Sequence, residues 1–239
     1  SEHDTPLEAF LASLDRCPTS EPEADAIDKR CNNTRCLDSR WKEVNGLVQD
    51  KCWRYRKKCE KDNNESERGK KLYKGGFVFK IKPPASGLDE IAKSRYVIKD
   101  PKHLQRLDNV DCFSPMSRME QCRYVISEAV ERDWDMLQCD IQQAFPTADL
   151  PEPVWMEIPK CIVDKHPELN DSYAYVTKAL YGLCHSPRAF NKHLDAWFRK
   201  QGYEASEEDP CLYLKYRYAQ VPDEHGKPVR KRAELLAAV

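Results

Sequence analysis

The chain has 239 residues, 40% hydrophobic, 10% aromatic and 33% charged. That is enough apolar mass for one or two packed domains, and it excludes wholesale disorder. No run of about 18 apolar residues is present, which excludes a membrane-spanning helix, and the start Ser1-Glu2-His3-Asp4 lacks the basic and apolar regions of a signal peptide.

A net charge of −1 conceals an uneven layout: residues 1–39 carry −5, residues 40–100 carry +8 and residues 101–239 carry −4. A basic segment between acidic neighbours suggests a face that meets an anion, such as nucleic acid or a polyphosphate. The same run also reads as a solvated lysine-rich helix. The eleven cysteines are irregularly spaced and include no CxxC pair. Free thiols in a reducing compartment are therefore expected rather than a zinc cluster.

In chain order, residues 1–36 are polar and acidic, and only Leu7–Leu14 has a helical pattern. Residues 37–60 read as one helix, on Leu37, Trp41, Val44, Leu47 and Val48, with a basic-aromatic end at Trp53-Arg54-Tyr55-Arg56-Lys57-Lys58. Residues 61–71 read as a charged loop. Gly76–Lys82 and Lys93–Lys99 alternate with period two, so a hairpin of two basic strands is expected, joined through Pro83-Pro84 and Gly87. A helix is expected from Met116 to Val130, then a short buried strand at Met136–Ile141 that ends in the Asp140 carboxylate. Val154–Ile158 reads as a strand, 187–201 as an amphipathic helix, and Cys211–Tyr216 and 233–239 as further apolar extended segments. Strands and helices mix without a βαβ cadence, which makes α+β the expected class.

Taken alone, Asp140 at a strand end reads more simply as a turn or cap residue than as a ligand for a hard cation. Its neighbours change that reading. Seven blocks, in order, resemble the reverse transcriptase region of copia-type retrotransposons. They are Gly76–Lys82, Lys93–Val97, Phe113-Ser114-Pro115-Met116-Ser117-Arg118, Leu137–Phe145, Val154-Trp155-Met156-Glu157-Ile158-Pro159, Leu180–Arg188 and Asp209-Pro210-Cys211-Leu212-Tyr213.

The resemblance implies an α+β right-hand polymerase fold. It divides the chain into an acidic lead-in (1–36), a helical extension with a charged loop (37–71), fingers (72–135) and a partial palm (136–239). The activity implied is RNA-directed DNA synthesis, with dNTPs, an RNA template and a DNA primer as partners beside the rest of a Pol polyprotein. No membrane partner is implied. The location implied is the cytoplasm, in virus-like particles, and the nucleus. The implied cofactors are two Mg²⁺ (or Mn²⁺) ions that activate the primer 3′-hydroxyl and stabilise the leaving pyrophosphate. Asp140 is then the first metal-binding carboxylate and the Ile141 carbonyl a further ligand. Lys93 and Arg95, at i and i+2 on one strand face, take the triphosphate. Phe145 stands where a ring excludes a ribose 2′-hydroxyl. Lys80, Lys82, Gly182 and Arg188 support template and primer; Gly182 permits close backbone approach.

Three blocks depart from the family. Cys184-His185 replaces a lysine-glutamine pair, Lys99-Asp100 replaces lysine-glycine, and Pro146-Thr147-Ala148 replaces leucine-asparagine-glycine. Glu234–Val239 resembles the strand before the family's tyrosine-valine-aspartate-aspartate motif, so two of the three metal carboxylates would lie past Val239. A piece inactive by itself is the expectation. The alternatives are a non-catalytic nucleic-acid-binding remnant and an interaction module built on the same fold.

Overall fold

The computed structural model describes residues 17–82, 91–100, 112–222 and 228–238. The expected helix at Leu7–Leu14 and the hairpin loop around Gly87 lie outside the described residues. Helices and strands mix as expected for α+β, and the chain divides into two compact units. The first comprises residues 1–110 and 145–186, and the second residues 111–144 and 187–239.

The first unit begins with α1 (Glu21–Arg30) and α2 (Arg35–Gln49). The polar composition of residues 21–30 hides why α1 is held. Asp28 is buried and accepts the backbone N–H of Cys36 at 3.1 Å and of Leu37 at 3.0 Å, satisfying two of the donors that the start of α2 leaves open. Arg40, also buried, pairs back to Glu21 at 3.4 Å and to Asp25.

The single helix expected over 37–60 is not formed. α2 stops at Gln49, and Trp53–Lys57 is a strand, β1. Lys51 takes φ +54, a left-handed turn that ends the helix, and Trp53, Arg54 and Tyr55 then find strand partners. The two aromatic residues favour a pleated, half-buried surface. The expected loop over 61–71 contains parts of two short helices, α3 (Lys58–Asp62) and α4 (Glu65–Arg68).

The sheet adds β2 (Leu72–Lys82), β3 (Ile91–Lys99), β4 (Asp149–Met156) and β5 (Ser172–Lys178), with α6 (Lys160–Lys165) between the last two. Its order is β1-β5-β4-β2-β3, so β1 and β3 are the two edges. The expected β2–β3 hairpin is present, with Val78 opposite Arg95 and Lys80 opposite Lys93. β4 and β5 pair at Asp149 and again from Val154, and the register shifts where Pro151 and Pro153 cannot donate to the ladder. One sheet face packs on α2: Tyr96 and Ile98 are buried from the sheet, Val44 and Leu47 from the helix. Trp155 is fully buried and donates its indole N–H to Glu67 at 2.6 Å.

The second unit holds α5 (Met119–Glu131), most of α7 (Ser186–Lys200), and a sheet of β6 (Glu204–Ala205), β7 (Tyr213–Pro222) and β8 (Pro228–Ala238). Phe198 of α7 stacks on Tyr213 with ring centres 4.4 Å apart.

Residues 136–141 are not the buried strand that their apolar run suggests. They are irregular and exposed, with Leu137 91% accessible. A strand needs neighbours for its N–H and C=O groups, and no sheet register among the described residues includes this segment.

Candidate functional site

The first unit gathers its chemistry at the β3 edge. β3 is expected to present alternate residues to one face, and it does: Lys93 and Arg95 are exposed, as is Lys80 across the hairpin. Lys74 and Lys99, opposite one another, occupy the same face and are exposed. Lys74 is paired to Glu157 at 3.7 Å, whereas no carboxylate among the described residues pairs with Lys80 or Lys93. Lys82 lies opposite Ile91 at the end of the ladder.

Two elements close the outer edge of β3. The loop Leu180–Leu183 is held against it by the Ile98 N–H, which donates to the Tyr181 carbonyl at 2.7 Å. Gly182 there has φ +93, and a Cβ on it would stand 2.0 Å from the Ile98 carbonyl oxygen. Only glycine fits both demands. Buried Ser186 fastens the loop by donating its hydroxyl to the Leu180 carbonyl at 2.6 Å. From the other side α2 brings Glu43, whose carboxylate accepts the Tyr96 N–H at 3.2 Å. Burial pushes the Glu43 carboxyl above its ordinary range, and the Tyr96 amide and the Arg95 charge oppose that shift.

This arrangement lines up three side chains. The Arg95 guanidinium lies 4.2 Å over the centre of the Tyr181 ring, and Tyr181 meets the Phe145 ring at 4.8 Å. Phe145 opens a 3-10 turn, Phe145–Thr147, which is tied to the end of β5 through the Ala179 N–H and the Ala148 carbonyl. A guanidinium over a ring face can still donate its N–H groups to a phosphate. The structure thus brings Arg95, Phe145 and Gly182 together. Tyr181 and Glu43 were missed by the sequence reading. Tyr181 had a signal in the Leu180–Arg188 block; Glu43, on a helix outside the seven blocks, had none.

Asp140, Ile141 and Arg188 belong to the second unit. Asp140 and Ile141 are exposed, in the irregular segment described above. Their carboxylate and carbonyl oxygens are donors of the type that Mg²⁺ or Mn²⁺ takes, but two donors are fewer than such an ion needs. Arg188 is half-buried in the first turn of α7 and donates to the Phe113 carbonyl at 3.5 Å. The Ser114 hydroxyl donates to the Pro187 carbonyl at 3.3 Å. Asp209, 2% exposed, accepts the N–H of Arg118 at 3.3 Å and of Cys211 at 2.8 Å. Blocks far apart in sequence are therefore tied to one another within this unit.

Residues 64–221 match the family described as reverse transcriptase (RNA-dependent DNA polymerase). The chain is similar to the retrovirus-related Pol polyprotein from transposon TNT 1-94 of Nicotiana tabacum, with 31% identity over 63% of this chain and 11% of that protein. It is also similar to the retrovirus-related Pol polyproteins from transposons RE2 and RE1 of Arabidopsis thaliana. Those are 31% and 30% identical, each over 59% of this chain and 10% of the relative. The chain spans about a tenth of the length of these relatives. No solved structure is a significant match. Among the described residues no helix is long and apolar enough to cross a membrane.

Proposed function

Because the chain belongs to the reverse transcriptase (RNA-dependent DNA polymerase) family, we propose that it is the polymerase region of a copia-type retrotransposon Pol polyprotein. Its fold is read as fingers and part of a palm. It acts on dNTPs, an RNA template and a DNA primer beside the other domains of the polyprotein, in the cytoplasm and nucleus.

In this reading Lys93 and Arg95 bind the incoming triphosphate, and Lys80 and Lys82 extend the cationic face toward the template–primer duplex. Phe145, packed on Tyr181, limits the space beside the sugar and selects against a 2′-hydroxyl. Gly182 lets the 180–183 loop lie against β3, which supports the base pair being formed. Arg188, spoken for by the Phe113 carbonyl, holds the second unit's blocks in place. Asp140 and the Ile141 carbonyl are the residues that would hold divalent metal. When bound, such ions supply charge neutralisation for the pyrophosphate and a lowered pKa for the primer hydroxyl.

The observation that carries the reading is the row Arg95–Tyr181–Phe145, which sets a phosphate-binding cation beside the ring proposed to meet the sugar. The test is primer extension on an RNA template with Mg²⁺, in this chain and in any longer product of its gene, each with an Asp140→Asn control. Incorporation that disappears with Asp140→Asn supports the reading. Incorporation that survives the substitution, or none in either protein, overturns it.

A further inference from the structure

The basic-aromatic run Trp53–Lys58 has no part in the site above, and it occupies the opposite edge of the five-stranded sheet. Among the described residues β1 pairs only with β5, so no strand covers its other side, where the Lys57 N–H is accepted by the Glu60 carboxylate at 2.9 Å. Trp53 is buried and anchors the strand. Arg54 stands opposite Tyr175 and Arg56 opposite Tyr173. The Arg56 guanidinium lies 4.2 Å over the Tyr175 ring, and the Lys58 ammonium 5.4 Å from the centre of Tyr173. Those two rings are themselves packed edge-on against Trp155. Tyr55 falls on the alternate face and is 39% exposed.

The local charge is not neutralised by ion pairs. No carboxylate among the described residues is ion-paired to Arg54, Arg56, Lys57 or Lys58. The nearby acids are engaged elsewhere. Glu60 accepts the Lys57 backbone N–H, and Glu67 accepts from the Trp155 indole and from Lys70. Four cations thus stand in five consecutive residues, 54–58, two of them over tyrosine rings, with no ion pair among the described residues and only the charge of Glu67 acting on Arg56. That pattern fits a polyanion. The alternation of Arg54, Tyr55 and Arg56 puts two cations and an exposed ring on either side of an open strand edge. Phosphates and an unstacked base can be met together there. A duplex keeps its bases stacked and would use the cations alone.

We infer that β1 is a binding strip for single-stranded nucleic acid, with Arg54, Arg56 and Lys57 meeting phosphates and Tyr55 stacking a base. The strip lies outside the residues matched by the family, and it does not depend on nucleotidyl transfer at Asp140.

The experiment is fluorescence anisotropy of the whole chain with a labelled single-stranded oligouridylate, titrated over a range of salt, with a blunt duplex of equal length as the second probe. The Arg54→Gln/Arg56→Gln variant should make the slope of log K against log salt shallower by about 1.4, at about 0.7 per lost phosphate contact on a single strand. Arg54→Lys/Arg56→Lys should keep the slope. Tyr55→Ala should weaken single-strand binding at least ~5-fold and leave the slope unchanged. Thermal melts check that each variant is folded, and the lysine variant keeps the test valid if the glutamine variant is not. An unchanged slope in the glutamine variant overturns the inference. So does equal affinity for the duplex together with indifference to Tyr55→Ala. Loss of nucleotide incorporation alone changes none of these readouts, so the strip and the polymerase reading fail separately.

Discussion

The Arg95 guanidinium rests 4.2 Å over the Tyr181 ring, so a residue of the β2–β3 hairpin is oriented by a loop more than eighty positions away. If Arg95 takes the triphosphate, that ring sets its geometry. A cation over a ring at a half-exposed site is worth about 1 kcal/mol. Tyr181→Ala should then weaken dNTP binding about 5-fold, while Tyr181→Phe, which keeps the ring, stays near the parent value. Titration with a fluorescent dNTP in the presence of Mg²⁺ measures both. Equal losses in the two variants would show that the ring is not what matters.

Gly182→Ala should destabilise the first unit by about 2–3 kcal/mol. Its φ of +93 disfavours any side chain, and the added Cβ would meet the Ile98 carbonyl at 2.0 Å. Gly69→Ala is the control, because nothing lies within 4 Å of a Cβ there, and it should change stability by less than about 0.5 kcal/mol. Urea unfolding compares the two. Similar midpoints would refute the claim that the 180–183 loop needs a glycine.

Glu67 carries a pH dependence. The Trp155 indole N–H, and secondarily Lys70, hold its carboxyl below the ordinary glutamate value. The folded state therefore binds its proton less readily than the unfolded state. The resulting stability is complete above the unfolded value of about 4.3 and fades as pH falls from there through the lower folded value. Glu67→Gln keeps an acceptor for the indole but loses the charge. It should cost about 1 kcal/mol at neutral pH and flatten the acid limb of a plot of melting temperature against pH. An unaltered acid limb would count against this assignment.

Asp209→Asn should loosen the second unit. The carboxylate is 2% exposed and accepts two backbone N–H groups, at Arg118 and Cys211. An asparagine has one acceptor oxygen to share between them, so a cost of about 1–3 kcal/mol is expected. Amide exchange should accelerate at Arg118 or Cys211 ahead of the rest of the unit. Unchanged protection at both amides would argue that the bonds are not held.

Much of the hairpin was legible. Period-two alternation over 76–82 and 93–99 is a local signal, and it correctly places Lys93 and Arg95 on one exposed face. The 187–201 helix was legible for the same reason, from its apolar stripe. The helix expected across 37–60 failed because its 3.6-residue pattern ends at Val48, while the residues beyond it found strand partners in β5. Residues 136–141 failed in the opposite direction. Their apolar run resembles a strand, but strand formation depends on a neighbour that a single segment does not reveal.

The motif order singled out Lys80, Lys82, Lys93, Arg95, Asp140, Ile141, Phe145, Gly182 and Arg188 alike; of these the structure brings Arg95, Phe145 and Gly182 around Tyr181 and β3, and the match over residues 64–221 places the chain in the family that those motifs resemble. Composition, periodicity and motif spacing are local properties, so the sequence by itself determined the mixed α+β class, the basic hairpin and the family. Partnership is not local. That Tyr181 contacts both Arg95 and Phe145, that Glu43 and the Tyr181 carbonyl close the β3 edge, and that Asp28 holds the start of α2 were decided only by tertiary structure. Each contact joins segments that no periodicity connects, and it forms because the fold leaves an N–H donor, a charge or a ring face that must be satisfied where the chain returns.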